Sequence, residues 1–383
     1  MSTSKFVQSI EMDGRFIFFN SLNYEKLIVR PNSQKTEDIL NCLPDKINWA
    51  LENKIFRIEN TFKCNLNCSY CICFRNNIKS KVQEMSLATA KKIAQEANEL
   101  KIQQIVFTGG EPFLNFKVIE QIQNTTTAEI VILTNGLVIS GRNLRNLDPR
   151  RTTICVSMDG LTEEENYYRY KKNDMMTKVV KTIGMIKAEN LKLGIFLVVH
   201  SLNLPTLEKI LKKMIVLYEP TFLGVNIPHY TEDGNYILSL EESAQFADCL
   251  IRIHKELNGK TCLLQVDKKL SYFNRNVLNF SSCKVSGNQW TFDPSGNKTR
   301  CLKLDLVSKE YFNTEDFRPH LPVFRKSCLN CEAIGICGGG CFFDQHKLDP
   351  INYLDPRVCC INKKLVRYFI KKRMMNLEKN LSL

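Results

Sequence analysis

The sequence predicts an α/β fold built around a parallel β-sheet. Between residues 54 and 258, six short runs with strand composition alternate with six runs whose apolar residues recur at helical spacing. Parallel strands need crossover connections, so repeated βα units imply a parallel sheet covered by helices. A chain of 383 residues with 44% apolar content can bury a large core and leave room for a smaller second domain.

Residues 1–53 are predicted to form a small leading element. Arg15–Asn20 and Lys26–Arg30 flank a short polar connection, which is typical of a β-hairpin. Residues 36–53 are predicted to be helical, because apolar side chains recur there at about helical spacing despite Pro44. The segment is short for an independent domain, so we expect it to pack on the residues that follow.

Residues 54–258 are predicted to form the core. Ser86 is a plausible N-cap for the first helix, and Pro205 fits an early turn of the fifth. The sheet is either open and doubly wound or a partial barrel, and in both cases chemistry is expected at the carboxyl ends of the strands. In chain order, the predicted strands and helices are Ile55–Asn60, Ser86–Leu100, Gln104–Thr108, Leu114–Gln123, Glu129–Thr134, Asn143–Leu147, Thr153–Ser157, Met175–Ala188, Lys192–His200, Leu204–Tyr218, Phe222–Ile227 and Leu240–Leu257.

A cysteine loop follows the first predicted strand, with the spacing Cys64-x3-Cys68-x2-Cys71. Three thiolates on one short loop can hold three corners of a cubane iron–sulfur cluster, which four cysteines normally close. The fourth iron is then open to a small molecule, as open metal positions are elsewhere. A structural zinc knuckle and a set of buried thiols are the alternatives.

The second predicted strand ends in Gly109-Gly110-Glu111-Pro112. Two glycines allow the backbone to approach a ligand closely, and the carbonyl groups and the acid beside them can accept hydrogen bonds from an ammonium group. Taken alone, a strand that ends in two glycines is usually just a turn.

Polar residues also end the third and fourth predicted strands. Asn135 lies in a Thr-Asn-Gly sequence, Ser157 ends the fourth strand, and Arg169 follows an acidic stretch. A hydroxyl and a guanidinium at strand ends suit a ribose hydroxyl and a carboxylate, respectively. The alternative for Arg169 is a solvated ion pair with Glu163–Glu165.

Residues 259–383 are predicted to form a second domain, because helices give way to short strand-like pieces, turns and clustered cysteines. A basic amphipathic helix from about Ile361 to Lys379 is expected to end it. The cysteine pattern is Cys283-x12-Gly296-x4-Cys301, then Cys328-x2-Cys331-x5-Cys337-x3-Cys341, and finally Cys359-Cys360.

The compartment is expected to be cytoplasmic. The N-terminus has no apolar segment followed by a cleavage site, and no run of about 18 uncharged apolar residues occurs, so neither a signal peptide nor a membrane-spanning helix is predicted. Because thiols stay reduced there, the 16 cysteines indicate metal ligation rather than disulfides.

Together these motifs resemble those of radical S-adenosylmethionine (SAM) enzymes that carry a SPASM domain. The resemblance implies a partial (β/α)6 TIM barrel as radical SAM core, followed by the cysteine-rich SPASM domain. It implies SAM and three [4Fe–4S] clusters as cofactors, one on Cys64, Cys68 and Cys71 and two auxiliary. The residues that it implies for SAM binding are Tyr70, Gly109, Gly110, Glu111, Pro112, Asn135, Ser157 and Arg169.

The same resemblance implies the ligands of the two auxiliary clusters. Cys283, Cys301 and Cys341 would serve the first cluster, for which no fourth ligand is clear; Cys262 is available, although its spacing does not match. Cys42, Cys155 and Cys249 are expected to be buried packing thiols, and Cys73 could be either packing or functional. Two zinc ribbons are the alternative. For the second cluster, the implied ligands are Cys328, Cys331 and Cys337 with either Cys359 or Cys360.

The reaction implied by the resemblance begins with reductive cleavage of SAM to a 5′-deoxyadenosyl radical. This radical would abstract hydrogen from a ribosomal precursor peptide to form a thioether or carbon crosslink. Formylglycine formation on a sulfatase is an alternative, although Leu302 rather than an aspartate follows Cys301. A non-enzymatic iron–sulfur electron carrier is a third hypothesis.

The implied partners are the peptide and a low-potential electron donor, flavodoxin or ferredoxin. Residues 1–53 are too few for the usual leader-binding domain, so a separate leader-binding protein or the hairpin itself would recognise the leader. The formal net charge is +13, but three clusters would remove roughly 5 units of it. The remainder is too small and too spread to predict a nucleic-acid partner, and no membrane partner is expected.

Overall fold

The computed structural model describes most of the chain. The residues between the described ranges include Cys42 and Cys73, whose predicted roles therefore lie outside the described part. The described ranges are 7–13, 15–22, 24, 27–30, 48–49, 54–72, 84–170, 174–231, 236–257, 259, 261–279, 281–283, 289–301 and 321–381.

A three-stranded antiparallel sheet opens the chain: β1 (Val7–Met12), β2 (Arg15–Asn20) and β3 (Leu27–Arg30). The predicted hairpin is confirmed as β2 and β3. Strand β1 was not predicted, because its buried residues Val7 and Ile10 lie three positions apart and break the two-residue alternation of a half-buried strand.

The helix predicted over residues 36–53 is wrong at Asn48–Trp49, the only part of it within the described residues. These two residues form a short strand, β4, which pairs in parallel with Val277–Leu278. Local apolar periodicity carries no information about a partner so distant in sequence, so the backbone pairing overrode the helical pattern there.

The six core strands are confirmed within two residues at each end. They are parallel and lie in chain order without reversal. A doubly wound sheet needs a switch point at which the strand order reverses, so the order identifies a barrel-type sheet. Among the described strands, the first and the last in this order do not pair with each other, so the sheet is not closed, as in a partial barrel. The strands are β5 (Ile55–Thr61), β6 (Gln104–Gly109), β7 (Glu129–Thr134), β8 (Thr152–Ser157), β9 (Lys192–Val198) and β10 (Phe222–Asn226).

Helices follow these strands as predicted. Ser86 caps the first helix by accepting a hydrogen bond from the Thr89 amide at 3.0 Å. Pro205 lies in a 3-10 turn, Leu204–Thr206, that precedes the fifth helix. The helices are α1 (Leu87–Glu99), α2 (Phe116–Thr125), α3 (Gly141–Arg145), α4 (Met175–Ala188), α5 (Leu207–Tyr218) and α6 (Leu240–Glu256).

The main sheet continues past residue 258 at both edges. Strand β11 (Cys262–Leu263) adds in parallel to β10, and after α7 (Leu264–Asn274) and β12 (Val277–Leu278), strand β13 (Gln289–Phe292) adds in parallel to β5. The antiparallel strand β14 (Lys298–Thr299) completes nine strands in the order β11-β10-β9-β8-β7-β6-β5-β13-β14. Residues of the predicted second domain thus flank the core directly.

The cysteine-rich region then folds into short helices α8 (Ile334–Cys337) and α9 (Phe342–Leu348) and a long helix, α10 (Pro356–Leu381). Helix α10 contains the predicted C-terminal helix and begins earlier, with proline at its first position. It packs on α6, where Lys364 pairs with Asp248 at 2.8 Å and Tyr368 bonds His254 at 2.8 Å. No helix among the described residues is long and apolar enough to cross a membrane.

Candidate active site

The cysteine loop is held against the end of β6 by backbone contacts. The amide of Gly110 donates to the Thr61 carbonyl oxygen and that of Glu111 to the Lys63 carbonyl oxygen, both at 2.8 Å. A Cβ atom on Gly110 would overlap the Lys63 carbonyl oxygen. Only glycine permits this approach, so the two glycines position the chain that enters the loop.

Asn135, directly after β7, also contacts the cysteine loop. Its Nδ2 donates to Asn65 Oδ1 at 2.8 Å and lies 3.9 Å from Cys64 Sγ. Its backbone amide donates to Glu111 Oε2 at 2.8 Å. The ends of β6 and β7 and the start of the loop therefore form one hydrogen-bonded unit.

The Glu111 carboxylate is buried in that unit. It accepts hydrogen bonds from the Thr134 hydroxyl at 2.7 Å, the Asn135 amide at 2.8 Å and the Phe113 amide at 3.2 Å. These bonds use three of about four lone-pair positions of a carboxylate, so Glu111 mainly secures the strand ends. Burial raises the pKa of Glu111 to about 7.

A buried ion pair lies on the other side of the loop. Arg169 Nη2 contacts Asp159 Oδ1 at 3.1 Å, the Tyr70 hydroxyl donates to Asp159 Oδ2, and the guanidinium lies 5.6 Å from the Tyr70 ring centroid. The proposed solvated pair of Arg169 with Glu163–Glu165 is therefore wrong. Sequence reasoning missed Asp159, although an acid two residues past a strand and ten before an arginine was a usable signal.

The segment after β8 closes back on the cysteine loop. The Ser69 amide donates to the Tyr168 carbonyl oxygen at 2.7 Å, and Cys68 Sγ lies 3.9 Å from the Arg169 carbonyl oxygen. Ser157, at the end of β8, accepts a bond from the Tyr170 hydroxyl on its carbonyl oxygen at 2.9 Å. All the residues that the sequence predicts for the SAM site thus lie at the carboxyl ends of the parallel strands.

His200, just past β9, is a second residue that the sequence did not single out. Its side chain is fully buried, and no hydrogen-bond partner for either ring nitrogen occurs among the described residues. The ring stacks on Tyr70 at 6.3 Å and meets Tyr168 edge-on at 4.9 Å. Burial lowers the pKa of His200, which favours the neutral ring.

The thiols of the loop suit an iron–sulfur cluster better than a single zinc ion. Four thiolates around zinc lie roughly 3.8 Å apart, given a Zn–S distance of about 2.3 Å. In the described part of the chain, the only three metal-binding side chains with ligand atoms all within 4.8 Å are His229, Cys341 and Asp344. Burial raises the pKa of Cys68 to about 12, so its thiolate needs the bound positive charge that either metal would supply, and the spacing of the ligand atoms is what favours the cluster.

The structure separates the two candidates for a fourth ligand of the second auxiliary set. The pKa of Cys359 is raised to about 12, mainly by burial and next by the negative charge of three neighbouring thiolates. Cys360 instead directs its Sγ to the Leu240 carbonyl oxygen at 3.8 Å. The thiols near Cys359 are those of Cys328, Cys331 and Cys337.

The first auxiliary set lies beside a small apolar cluster. Its three thiols, those of Cys283, Cys301 and Cys341, are half-buried and pack against this cluster. Cys262 instead starts β11, the strand at the opposite edge of the sheet, and its thiol bonds Asp267. Cys155 and Cys249 are buried, as expected of packing thiols. The small apolar cluster consists of Leu22, Ile72, Leu278, Leu321, Val323, Ile334, Phe342 and Phe343.

Comparison with known proteins agrees with this arrangement. The model of the Radical SAM superfamily matches residues 58–214, from β5 into α5. These residues form a radical SAM domain. The superfamily consists of enzymes that use SAM and a [4Fe–4S] cluster, so the expected α/β partial-barrel fold and the expected enzyme class are confirmed at this level.

Two curated relatives differ in how much they share. The protein MJ0907 of Methanocaldococcus jannaschii is 32% identical over 178 residues, 43% of this chain and 59% of that protein. The chain thus spans less than two thirds of MJ0907. The radical SAM cyclopropyl synthase TigE of Paramaledivibacter caminithermalis is 22% identical over 386 residues, 88% of this chain and 77% of TigE.

Two solved structures share the fold over most of the chain. The AdoMet-bound anSMEcpe has a TM-score of 0.66 at 21% identity, covering 85% of this chain and 99% of that one. SuiB of Streptococcus suis bound to S-adenosylmethionine has a TM-score of 0.60 at 13% identity, covering 94% and 100%. At these identities the likeness concerns the fold alone.

Replacing Gly110 by alanine tests the close approach at the loop. The added methyl group overlaps the Lys63 carbonyl oxygen, so we expect Gly110→Ala to displace the loop and to lose about four iron per chain. Gly184→Ala is the matched control, because a Cβ at Gly184 contacts nothing within 4 Å. Equal iron and acid-labile sulfide in both purified variants would contradict the expectation.

The raised pKa of Glu111 predicts a pH dependence of stability. The folded pKa of about 7 exceeds the ordinary value of about 4.3, so stability from this group is present at low pH and lost as pH rises through 7. The unfolding free energy of the wild type relative to Glu111→Gln should fall by up to about 3 kcal/mol between about pH 5 and pH 8. Urea unfolding of both proteins at each pH measures this difference in unfolding free energy. A difference that stays constant with pH would refute the prediction.

The pair Cys359 and Cys360 gives an internal control for the second auxiliary set. We expect Cys359→Ala to remove up to about four iron per chain and Cys360→Ala to remove none, because only Cys359 lies among the other three thiols. Iron analysis and Mössbauer spectra of reconstituted protein measure this. Iron loss in Cys360→Ala alone would reverse the assignment.

Proposed function

We propose that this chain is a radical SAM peptide maturase that modifies a ribosomal precursor peptide. The carrying observation is that the cysteine loop, the glycines of β6 and the ends of β7 and β8 form one connected site within the radical SAM domain. When bound, the cluster and SAM supply a 5′-deoxyadenosyl radical that removes hydrogen from the substrate. The protein orients these groups and excludes water.

In this proposal the residues at the end of each strand have separate roles. Cys64, Cys68 and Cys71 hold the SAM cluster. Gly109 and Gly110 bring their backbone to SAM, while Glu111 and Pro112 shape the turn, since the Glu111 carboxylate is bonded to Thr134 and Asn135. Tyr70, Asn135, Ser157 and Arg169 complete the SAM site.

Arg169 would also balance charge beside the loop. Its guanidinium lowers the pKa of Cys68 against the dominant effect of burial, and Asp159 holds it in place. A charge held this way costs no reorganisation when SAM binds. Arg169 therefore supports the cluster as well as SAM.

The auxiliary clusters belong to the same proposal. Cys328, Cys331, Cys337 and Cys359 would hold one cluster, and Cys283, Cys301 and Cys341 would hold the other. They would accept the electron left when the substrate radical is oxidised, or bind the substrate. We propose the division into residues 1–53, 54–258 and 259–383 on the same basis, with the main sheet shared across the second boundary.

A peptide substrate is supported by the similar proteins. SuiB is solved with the precursor peptide SuiA, and anSMEcpe with the Cp18Cys peptide. TigE matches 88% of this chain and is named a cyclopropyl synthase, which favours carbon–carbon bond formation over a thioether. The other proposed partners are flavodoxin or ferredoxin as electron donor and a separate leader-binding protein, with no nucleic acid.

Formylglycine formation is the second candidate function, because anSMEcpe shares the fold over 99% of its length. Against it, Leu302 occupies the position after Cys301 where that branch carries an aspartate. A sulfatase-derived peptide as substrate separates the two candidates.

The proposed activity predicts a specific product. Reduced, reconstituted protein should release 5′-deoxyadenosine from SAM, and Cys68→Ala should abolish the release, because the cluster loses a ligand. Cys249→Ala is the control, since Cys249 is buried in α6 away from the motifs. Liquid chromatography with mass spectrometry measures the product. Release by Cys68→Ala would refute the assignment of the cysteine loop to SAM cleavage. No release from the wild type would refute the proposal and leave the electron-carrier hypothesis.

A further inference from the structure

Two thiols of the second auxiliary set accept hydrogen bonds from nearby side chains. Asn362 Nδ2 donates to Cys337 Sγ at 3.2 Å, and the Arg325 guanidinium hydrogen-bonds the Cys328 thiol. Asn362 lies three residues after Cys359 on α10, so the two side chains share one face of that helix. Two of the four proposed ligands thus have a donor of their own.

Arg325 is buried among these thiols. The residue is only 6% exposed, and its guanidinium also interacts electrostatically with the thiols of Cys337 and Cys359. Its Nη2 donates to Gln345 Oε1 at 2.7 Å. Because the Gln345 side chain is a neutral amide, this bond orients the guanidinium without cancelling its charge.

Two acidic residues near the same set are paired with other cations. Asp355 lies near Cys359 and pairs with Arg357 at 2.8 Å. Glu332, directly after a proposed ligand, pairs with Arg367 at 2.9 Å. The negative charge of each acid is therefore balanced within its own pair.

A buried guanidinium needs a compensating negative charge nearby. A [4Fe–4S] cluster held by four thiolates would supply it, with a net charge of about −2 that becomes about −3 when the cluster gains one electron. The positive charge of Arg325 attracts the reduced form more strongly than the oxidised form. Hydrogen bonds to the sulfurs act in the same direction and are a known determinant of cluster potential.

We propose that Arg325 and Asn362 raise the reduction potential of the second auxiliary cluster, Arg325 by its buried charge and Asn362 by its bond to Cys337. The inference rests on the proposed function, which supplies that cluster. The single electron that the substrate radical loses on oxidation would then reduce this cluster more readily.

A redox titration followed by electron paramagnetic resonance tests the proposal. The full chain with Cys64→Ala, Cys68→Ala and Cys71→Ala is the parent, which retains only the auxiliary clusters, about eight iron per chain. Adding Cys359→Ala to this parent identifies the signal of the second cluster, because that signal is lost.

We expect Arg325→Gln to shift the midpoint potential of this signal to a more negative value, and Arg325→Lys, which keeps the charge, to restore most of it. Asn362→Leu removes the donor at nearly equal volume and should also shift the potential to a more negative value. Lys326→Gln is the matched control and should leave the potential unchanged. It removes the same formal charge from the adjacent residue, which is exposed and therefore screened by solvent and salt.

The outcomes separate this inference from the proposed function. An intact cluster whose potential does not become more negative in either Arg325→Gln or Asn362→Leu, or that shifts equally in Lys326→Gln, overturns the inference alone. A parent that loses neither iron nor signal on adding Cys359→Ala overturns the proposed second cluster as well. If Arg325→Gln loses its iron, Asn362→Leu decides, and an unchanged potential in that variant overturns the inference.

Discussion

The close approach of β6 to the chain entering the cysteine loop is the contact on which the rest of the site depends. Gly110 leaves no space for a side chain against Lys63, and the two backbone bonds at 2.8 Å fix where Cys64 begins. Glu111 then transmits that position to the end of β7 through its buried carboxylate. Hydrogen bonds thus join the end of β6, the cysteine loop and the end of β7, which is the preorganisation that catalysis needs.

Charge is the second constraint, because the fold buries thiols that must ionise to hold iron. Burial is the largest cause that raises the pKa values of Cys68 and Cys359 to about 12. Bound iron reverses this preference, and the buried pair of Arg169 and Asp159 adds a fixed positive group next to the SAM cluster. The formal charge of +13 would partly offset the negative charge of such clusters.

Much of the fold and of the candidate site was predictable from the sequence, because strands, helices and cysteine motifs depend on residues adjacent in the chain. The core strands follow from periodicity, whereas the glycines were expected to approach a ligand and the structure shows Gly110 against the Lys63 carbonyl oxygen. The pairing of Asn48–Trp49 with Val277–Leu278 and the bond of His229 to Asp344 join distant segments, the latter 115 residues apart. Asp159 likewise bonds a distant residue, Tyr70, 89 positions away, although its position two residues past β8 was a usable signal.

We propose that Cys64, Cys68 and Cys71 leave one iron of their cluster open to SAM. Electron paramagnetic resonance of the reduced chain, with and without SAM labelled with ¹⁵N at its amino group, tests it most directly. We expect a changed cluster signal on adding SAM, with ¹⁵N coupling that is absent in Cys68→Ala. Identical spectra with and without SAM, in protein that carries about 12 iron per chain, would contradict it.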